Sequence, residues 1–208
     1  MRLAMIGAAI TVVATASPAL SAERDYDLDG FTGVNVARGV VLTLTMGPPA
    51  IQAETNADDF SDLYVEVDDG VLEVRRRSTF SNEKSNRVTY DVTVSAPEID
   101  FLKASTGATL IGDDLTIDKA AIELNTGATM TLSGACRAIG VKAHTGAEFD
   151  GRDLLCKSVI AYGRTGATIR AHASDFAEGR ARMGAEIKFD GDPKERKNGT
   201  FLGGAVSF

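Results

Sequence analysis

A Thr-Gly-Ala triplet recurs at nearly constant spacing through the second half of the chain: Thr106-Gly107-Ala108, Thr126-Gly127-Ala128, Thr145-Gly146-Ala147 and Thr165-Gly166-Ala167. Degenerate copies follow at Met183-Gly184-Ala185 and Gly203-Gly204-Ala205, placing the glycines 20, 19, 20, 18 and 20 residues apart. A period in that range is the mark of a solenoid, in which each repeat buries its apolar face only against its neighbours. The repeat therefore sets the architecture, and it names no reaction.

Residues around each triplet alternate with the period of two that a half-buried strand requires. With the glycine taken as outward, the inward set is Ala104, Thr106, Ala108 and Leu110 in the first copy and Leu124, Thr126, Ala128 and Met130 in the second. Later copies give Ala143, Thr145, Ala147, Phe149, then Gly163, Thr165, Ala167, Ile169, then Ala181, Met183, Ala185, Ile187. Gly112-Asp113-Asp114, Ser133-Gly134, Asp150-Gly151 and Asp190-Gly191-Asp192 mark corners. Twenty residues of extended chain have a contour of about 65 Å, enough for two or three short strands. The expected fold is all-β: a single-stranded parallel β-helix of about 20 residues per coil, with six coils stacked about 29 Å tall. A four-stranded propeller blade needs about 40 residues, so a propeller fits the period poorly.

Before residue 97 the punctuation is that of short strands. Alternating or β-branched runs at 31–36, 40–45, 50–54, 63–67, 71–75 and 88–94 are separated by Gly39, Gly47-Pro48-Pro49 and Asp68-Asp69-Gly70. Asp69-Gly70 is the clearest hairpin turn. Residues 57–63 hint at one helical turn, and the polar stretch 78–87 reads as a mobile loop. The N-terminus, with Arg2, an apolar run and the small residues Ala19 and Ser21, reads as a secretory signal peptide over 1–21. Residues 22–96 then form a β-rich segment continuous with the β-helix of 97–208, one domain over 30–208. The expected location is periplasmic or secreted, with no stable membrane insertion once the leader is gone.

Ala104-Ser105-Thr106-Gly107-Ala108, Leu124-Asn125-Thr126-Gly127-Ala128 and Ala143-His144-Thr145-Gly146-Ala147 together resemble the repeats of the auto-transporter adhesin head GIN domain family. Phe31-Thr32-Gly33-Val34-Asn35-Val36 and the stretch 63–74 resemble its N-terminal segment, so the likeness covers nearly the whole chain after the leader. The resemblance implies an exported bacterial β-helical domain and carries over no catalytic residues.

Charge narrows the partners. The chain has 22 basic and 29 acidic residues, a formal net charge of −7, which argues against nucleic acid or anionic lipid as a partner. Neither the two histidines nor the two cysteines have the spacing of a metal site, and no cofactor is expected. Asp113-Asp114 and Asp190-Gly191-Asp192 match neither established calcium-loop pattern. No nucleophile–base constellation stands out, so no catalytic residue is assigned. Cys136 and Cys156 each lie nine residues before a triplet threonine and should stack on adjacent coils. They are candidates for a disulfide. The alternative is a pair of buried thiols, since in-register strands hold Cβ atoms about 4.8 Å apart where a disulfide wants about 3.8 Å.

The outward residues should form ladders. Ser105, Asn125, His144, Arg164 and Arg182 make one, the glycines a second, and Thr109, Thr129, Glu148, Thr168 and Glu186 a third. A glycine row leaves a furrow in which a glycan, a peptide or another cell-surface polymer could lie, although glycine is also chosen for backbone geometry alone. The functional expectation is a non-catalytic adhesion or binding module. The alternatives are a carbohydrate-active enzyme of the polysaccharide lyase kind and a ligand-free cell-envelope scaffold.

Overall fold

A computed structural model of the protein describes residues 22–56, 59–77 and 88–208. The expected leader at 1–21, the polar stretch 78–87 and the start of the helical turn at 57–58 lie outside the described residues. The rest of that turn is present as a tight bend, in which the Leu63 amide donates to the Phe60 carbonyl.

Every regular element among the described residues is a strand. The repeat region comprises β8 (Phe101–Ser105), β9 (Thr109–Asn125), β10 (Thr129–His144), β11 (Glu148–Arg164), β12 (Thr168–Arg182), β13 (Glu186–Asp190), β14 (Glu195–Phe201) and β15 (Ala205–Ser207). Each long strand winds once around the stack and pairs in parallel with the next, for example Asn125 with His144, His144 with Arg164 and Arg164 with Arg182. The result is a β-solenoid of about five turns, each of about 20 residues, with seven copies of the turn stacked along one corner.

Local sequence explains how a 17-residue strand closes on itself. In β9, Leu110, Gly112, Leu115, Ile117, Ala120, Ile122 and Leu124 are buried, and the alternation is reset wherever two successive residues are exposed. Those pairs are Thr106-Gly107, Asp113-Asp114 and Asp118-Lys119, and they form three corners. At the third, Arg137 on the next coil donates two hydrogen bonds to Asp118, and these hold its carboxyl below the ordinary aspartate range.

The Thr-Gly corner corrects the expected inward set. Ala104, Ala108, Leu110 and their counterparts are buried as anticipated, but Thr106, Thr126, Thr145, Thr165 and Met183 are exposed. They have φ of 51–55° and each is followed by a glycine of φ 67–72°, the two left-handed central residues of a type I′ turn. The turn is closed by Ala108 N–H to Ser105 O at 3.2 Å, and the same bond recurs at Ala128, Ala147, Ala167 and Ala185. Alternation cannot be carried through such a corner, because two residues in succession face out. The turn amides also continue the inter-coil ladder, with Thr106 donating to Asn125 and Gly107 to Thr126. Inside the corner an unbroken row of buried alanines, Ala108, Ala128, Ala147, Ala167 and Ala185, gives the tight turn room to close.

Two further copies of this turn carry no Thr-Gly-Ala signature. Arg38 (φ 61°) and Gly39 (φ 71°) join β2 (Gly33–Ala37) to β3 (Val41–Met46), which pair in parallel with β8 and β9. At the other end Ala205 pairs with Glu186, which places Leu202 (φ 48°) and Gly203 (φ 75°) at the turn and Gly204 at the alanine position. The last copy therefore sits one residue earlier than the doublet Gly203-Gly204 suggests.

The N-terminal segment extends both faces of the stack. On one side β5 (Leu63–Asp68) and β6 (Val71–Arg76) continue from β2; on the other, β7 (Tyr90–Ala96), β4 (Ala50–Thr55) and β1 (Ala22–Tyr26) continue from β3. The β5/β6 hairpin turns at Asp69-Gly70, both at positive φ. The outer strands run antiparallel, β5 with β6 on one side and β1 with β4 and β4 with β7 on the other. At the opposite end Arg196, Asn198 and Thr200 of β14 pair with Ala177, Gly179 and Ala181, which are all buried. The interior column thus turns polar in its final coil, as an end coil facing water requires, and Phe208 stacks on Phe189 at 5.2 Å beside it.

Candidate binding face

The run of strand before each Thr-Gly corner presents every second side chain outward. Strand pairing stacks these into three columns on one face. The column next to the corner holds Ser105, Asn125, His144, Arg164 and Arg182 in continuous register, extended by Ala37 at one end and Phe201 at the other. The middle column runs Lys103, Glu123, Lys142, Tyr162 and Arg180, and the third Phe101, Ala121, Gly140, Ile160 and Glu178. Columns are two residues apart along the strands, about 7 Å.

Their chemistry differs. Two cations of the middle column are paired, one within it and one across to the third: Lys142 Nζ lies 3.3 Å from Glu123, Arg180 lies 2.8 Å from Glu178, and the Arg180 guanidinium sits 5.5 Å from the centre of the Tyr162 ring. In the column beside the corner, Arg164 and Arg182 make no ion pair among the described residues, although they are direct register partners. Like charges placed directly opposite one another in a sheet are destabilising.

In the third column two successive coils carry almost no side chain. Between Phe101 and Ile160 stand only Ala121 and Gly140, and the gap opens a groove of ≈ 720 Å³ lined chiefly by apolar groups, with Phe176, Ile139, Asp100 and Lys119 on its walls. Phe101 and Ile160 are three coil steps apart, about 14 Å. Gly140 has no backbone reason to be glycine, since its φ is not positive, and no packing reason, since a Cβ there would meet no heavy atom within 4 Å. The corner glycines are different. Gly107, Gly127, Gly146, Gly166 and Gly184 also face open space, but each has φ of 67–72°, a conformation that glycine adopts at no steric cost. Backbone geometry accounts for the expected glycine furrow, while the gap at Ala121 and Gly140 was not anticipated.

The remaining expected residues fall elsewhere. Thr109, Thr129, Glu148, Thr168 and Glu186 stack in register across the corner from the arginine column. Cys136 and Cys156 are register partners of β10 and β11, with Cα atoms 4.4 Å apart, and are joined by a disulfide. Both are buried, so the bond ties two coils from within. No group of three or more metal-ligating side chains occurs among the described residues.

A family model described as "Putative auto-transporter adhesin, head GIN domain" matches residues 30–193. Among solved structures, an adhesin-described protein of Bacteroides fragilis superposes with a TM-score of 0.70 at 13% identity, covering 91% of this chain and 97% of that one. Another from Parabacteroides distasonis gives 0.55 at 10% identity, with 91% and 97% covered. A third, described as a lipid binding protein of Parabacteroides distasonis, gives 0.51 at 12% identity, with 90% and 96% covered. At such identities the likeness is one of fold. No curated protein is significantly similar to the chain in sequence.

Proposed function

The chain belongs to the putative auto-transporter adhesin head GIN domain family, and from that premise we propose that it is an exported, non-catalytic adhesion module that holds an extended surface polymer, a glycan or a peptide, against its three-column face. The observation that carries the reading is Gly140. It is a glycine that neither φ nor packing demands, at the centre of an open apolar groove. A surface position of that kind accepts almost any residue without loss of stability, so its small size acts through what lies against it. The solenoid supplies the rest, since parallel coils present identical outward positions at a strand spacing of about 4.8 Å, a straight track for a chain-like ligand. Export is consistent with a disulfide, which persists in oxidising compartments.

The test is a glycan array and a whole-cell binding assay on the purified full chain, with Gly140→Leu and the double variant Asn125→Ala/Arg164→Ala. Gly140→Leu should fill the groove and abolish retention while leaving the melting temperature within a degree or two, a small shift for an exposed site. Retention of ligand by both variants at the level of the unmodified chain would refute the reading.

A further inference from the structure

We infer that the polymer is an acidic glycan, a chain of sugar rings carrying carboxylate or sulfate groups, whose anion is held by Arg164 and Arg182 while a ring occupies the gap between Phe101 and Ile160. The inference rests on the adhesion reading above and specifies its ligand.

The first ground is charge. In a chain of net charge −7 with 29 acidic residues, nine of the described basic side chains pair with carboxylates. On this face Lys142 and Arg180 do so, as does Lys197 with Glu195 on the last coil. Arg164 and Arg182 do not, and they are exposed and stacked in direct register, with His144 on the coil before them. Two adjacent guanidiniums, each with a planar fork of donors, form a receptor for a carboxylate or a sulfate and repel one another without it.

The second ground is the surrounding shape. This is the face of a sheet, and its backbone amides are already used within the ladders. A peptide that adds to a sheet gains affinity from main-chain hydrogen bonds at an edge, which the face does not offer. It offers flat apolar and aromatic surfaces instead, with Phe101, Ile160 and Phe176 around the groove and Tyr162 between groove and arginines. Rings stack on such surfaces. The groove column and the arginine column are four residues apart along the strand, about 13 Å, so one oligomer spans both.

Titration calorimetry on the full chain decides the matter with four probes: an oligogalacturonate, its carboxyl-reduced neutral counterpart, a sulfated glycan of similar length, and a poly-glutamate peptide. The oligogalacturonate or the sulfated glycan should bind, and whichever does identifies the anion. The neutral counterpart and the peptide should not bind. Arg164→Gln/Arg182→Gln should weaken binding about tenfold or more, because charged hydrogen bonds are lost, and added salt should weaken it as well. Gly140→Leu should weaken it independently. Equal binding of the neutral counterpart, equal or tighter binding of the peptide, or an unchanged affinity in the double glutamine variant would overturn the acidic-glycan assignment. If Gly140→Leu still abolished that binding, the adhesion reading would stand without it. Failure of every probe, together with failure on the array, would remove both.

Discussion

The Thr-Gly corner and the groove on the neighbouring face are both built around glycines that point into open space, yet they differ in kind. At the corner, glycine repeats on every coil because the chain must turn there with two successive residues in the left-handed region. On the face, Gly140 stands in a column with Phe101, Ala121, Ile160 and Glu178, and nothing in the backbone or packing requires it, whereas Gly33, the next residue of that column beyond Phe101, is hemmed in by Val71 and Phe101. Features that recur in every coil report on how a solenoid closes. A departure confined to one or two coils, with no structural cause, reports on what the surface meets.

That distinction can be broken or sharpened by substitution, beginning where a glycine is walled in. Gly134 has φ of 120° and its Cβ would fall 2.1 Å from the Leu115 carbonyl oxygen, so Gly134→Ala should cost about 4 kcal/mol or more, read as a collapse of the denaturant midpoint. Removing the disulfide with Cys136→Ala/Cys156→Ala opens a link between residues 20 apart and should cost about 3 kcal/mol by loop-closure entropy. It would also loosen the register between the coils that carry Gly140 and Ile160. An unchanged midpoint would mean that the strand ladder alone fixes that register.

Smaller effects separate the corner from the face directly. Gly127→Ala places a Cβ in open space but at a φ of 67°, and should cost about 1 kcal/mol. Thr126→Asn, at φ 51°, should stabilise by up to about 1 kcal/mol, since Asn tolerates the left-handed region and β-branched residues do not. Gly140→Leu should change stability by less than about 0.5 kcal/mol. If it cost as much as Gly127→Ala, Gly140 would be another architectural glycine and the groove would lose its standing as a site.

These contrasts also show what the amino-acid sequence discloses. The coil period, the parallel stacking and the buried alanine and aliphatic rows were legible because the solenoid repeats its environment every turn, so that Ala108, Ala128, Ala147, Ala167 and Ala185 mark one position five times. The arginine column was legible for the same reason. The threonines were misplaced because strict alternation was carried through a corner where two residues in a row face out. Arg38-Gly39 escaped notice because a left-handed turn needs only its glycine and tolerates Arg beside it, and Leu202-Gly203 was read one residue late because two adjacent glycines fit the pattern equally well. The groove stayed hidden for a different reason. Ala121 and Gly140 each stand six residues before a turn glycine and pair in unbroken register, so their stacking could be counted from the sequence, but polar–apolar alternation carries no signal for a missing side chain.

The Arg38-Gly39 turn carries a consequence for the order of events as the chain folds. Gly39 and Gly107 occupy equivalent places on neighbouring coils although 68 positions separate them, whereas successive turn glycines from Gly107 onward stand 18 to 20 apart. Bringing the longer interval to closure costs about 1 kcal/mol more in chain entropy; β2 and β3 have partners of their own in β6 and β7, but their pairing with β8 and β9 forms only across that interval. The later coils assemble from near neighbours in sequence. The expected order is therefore nucleation among the C-terminal coils, with the N-terminal strands docking onto them afterwards.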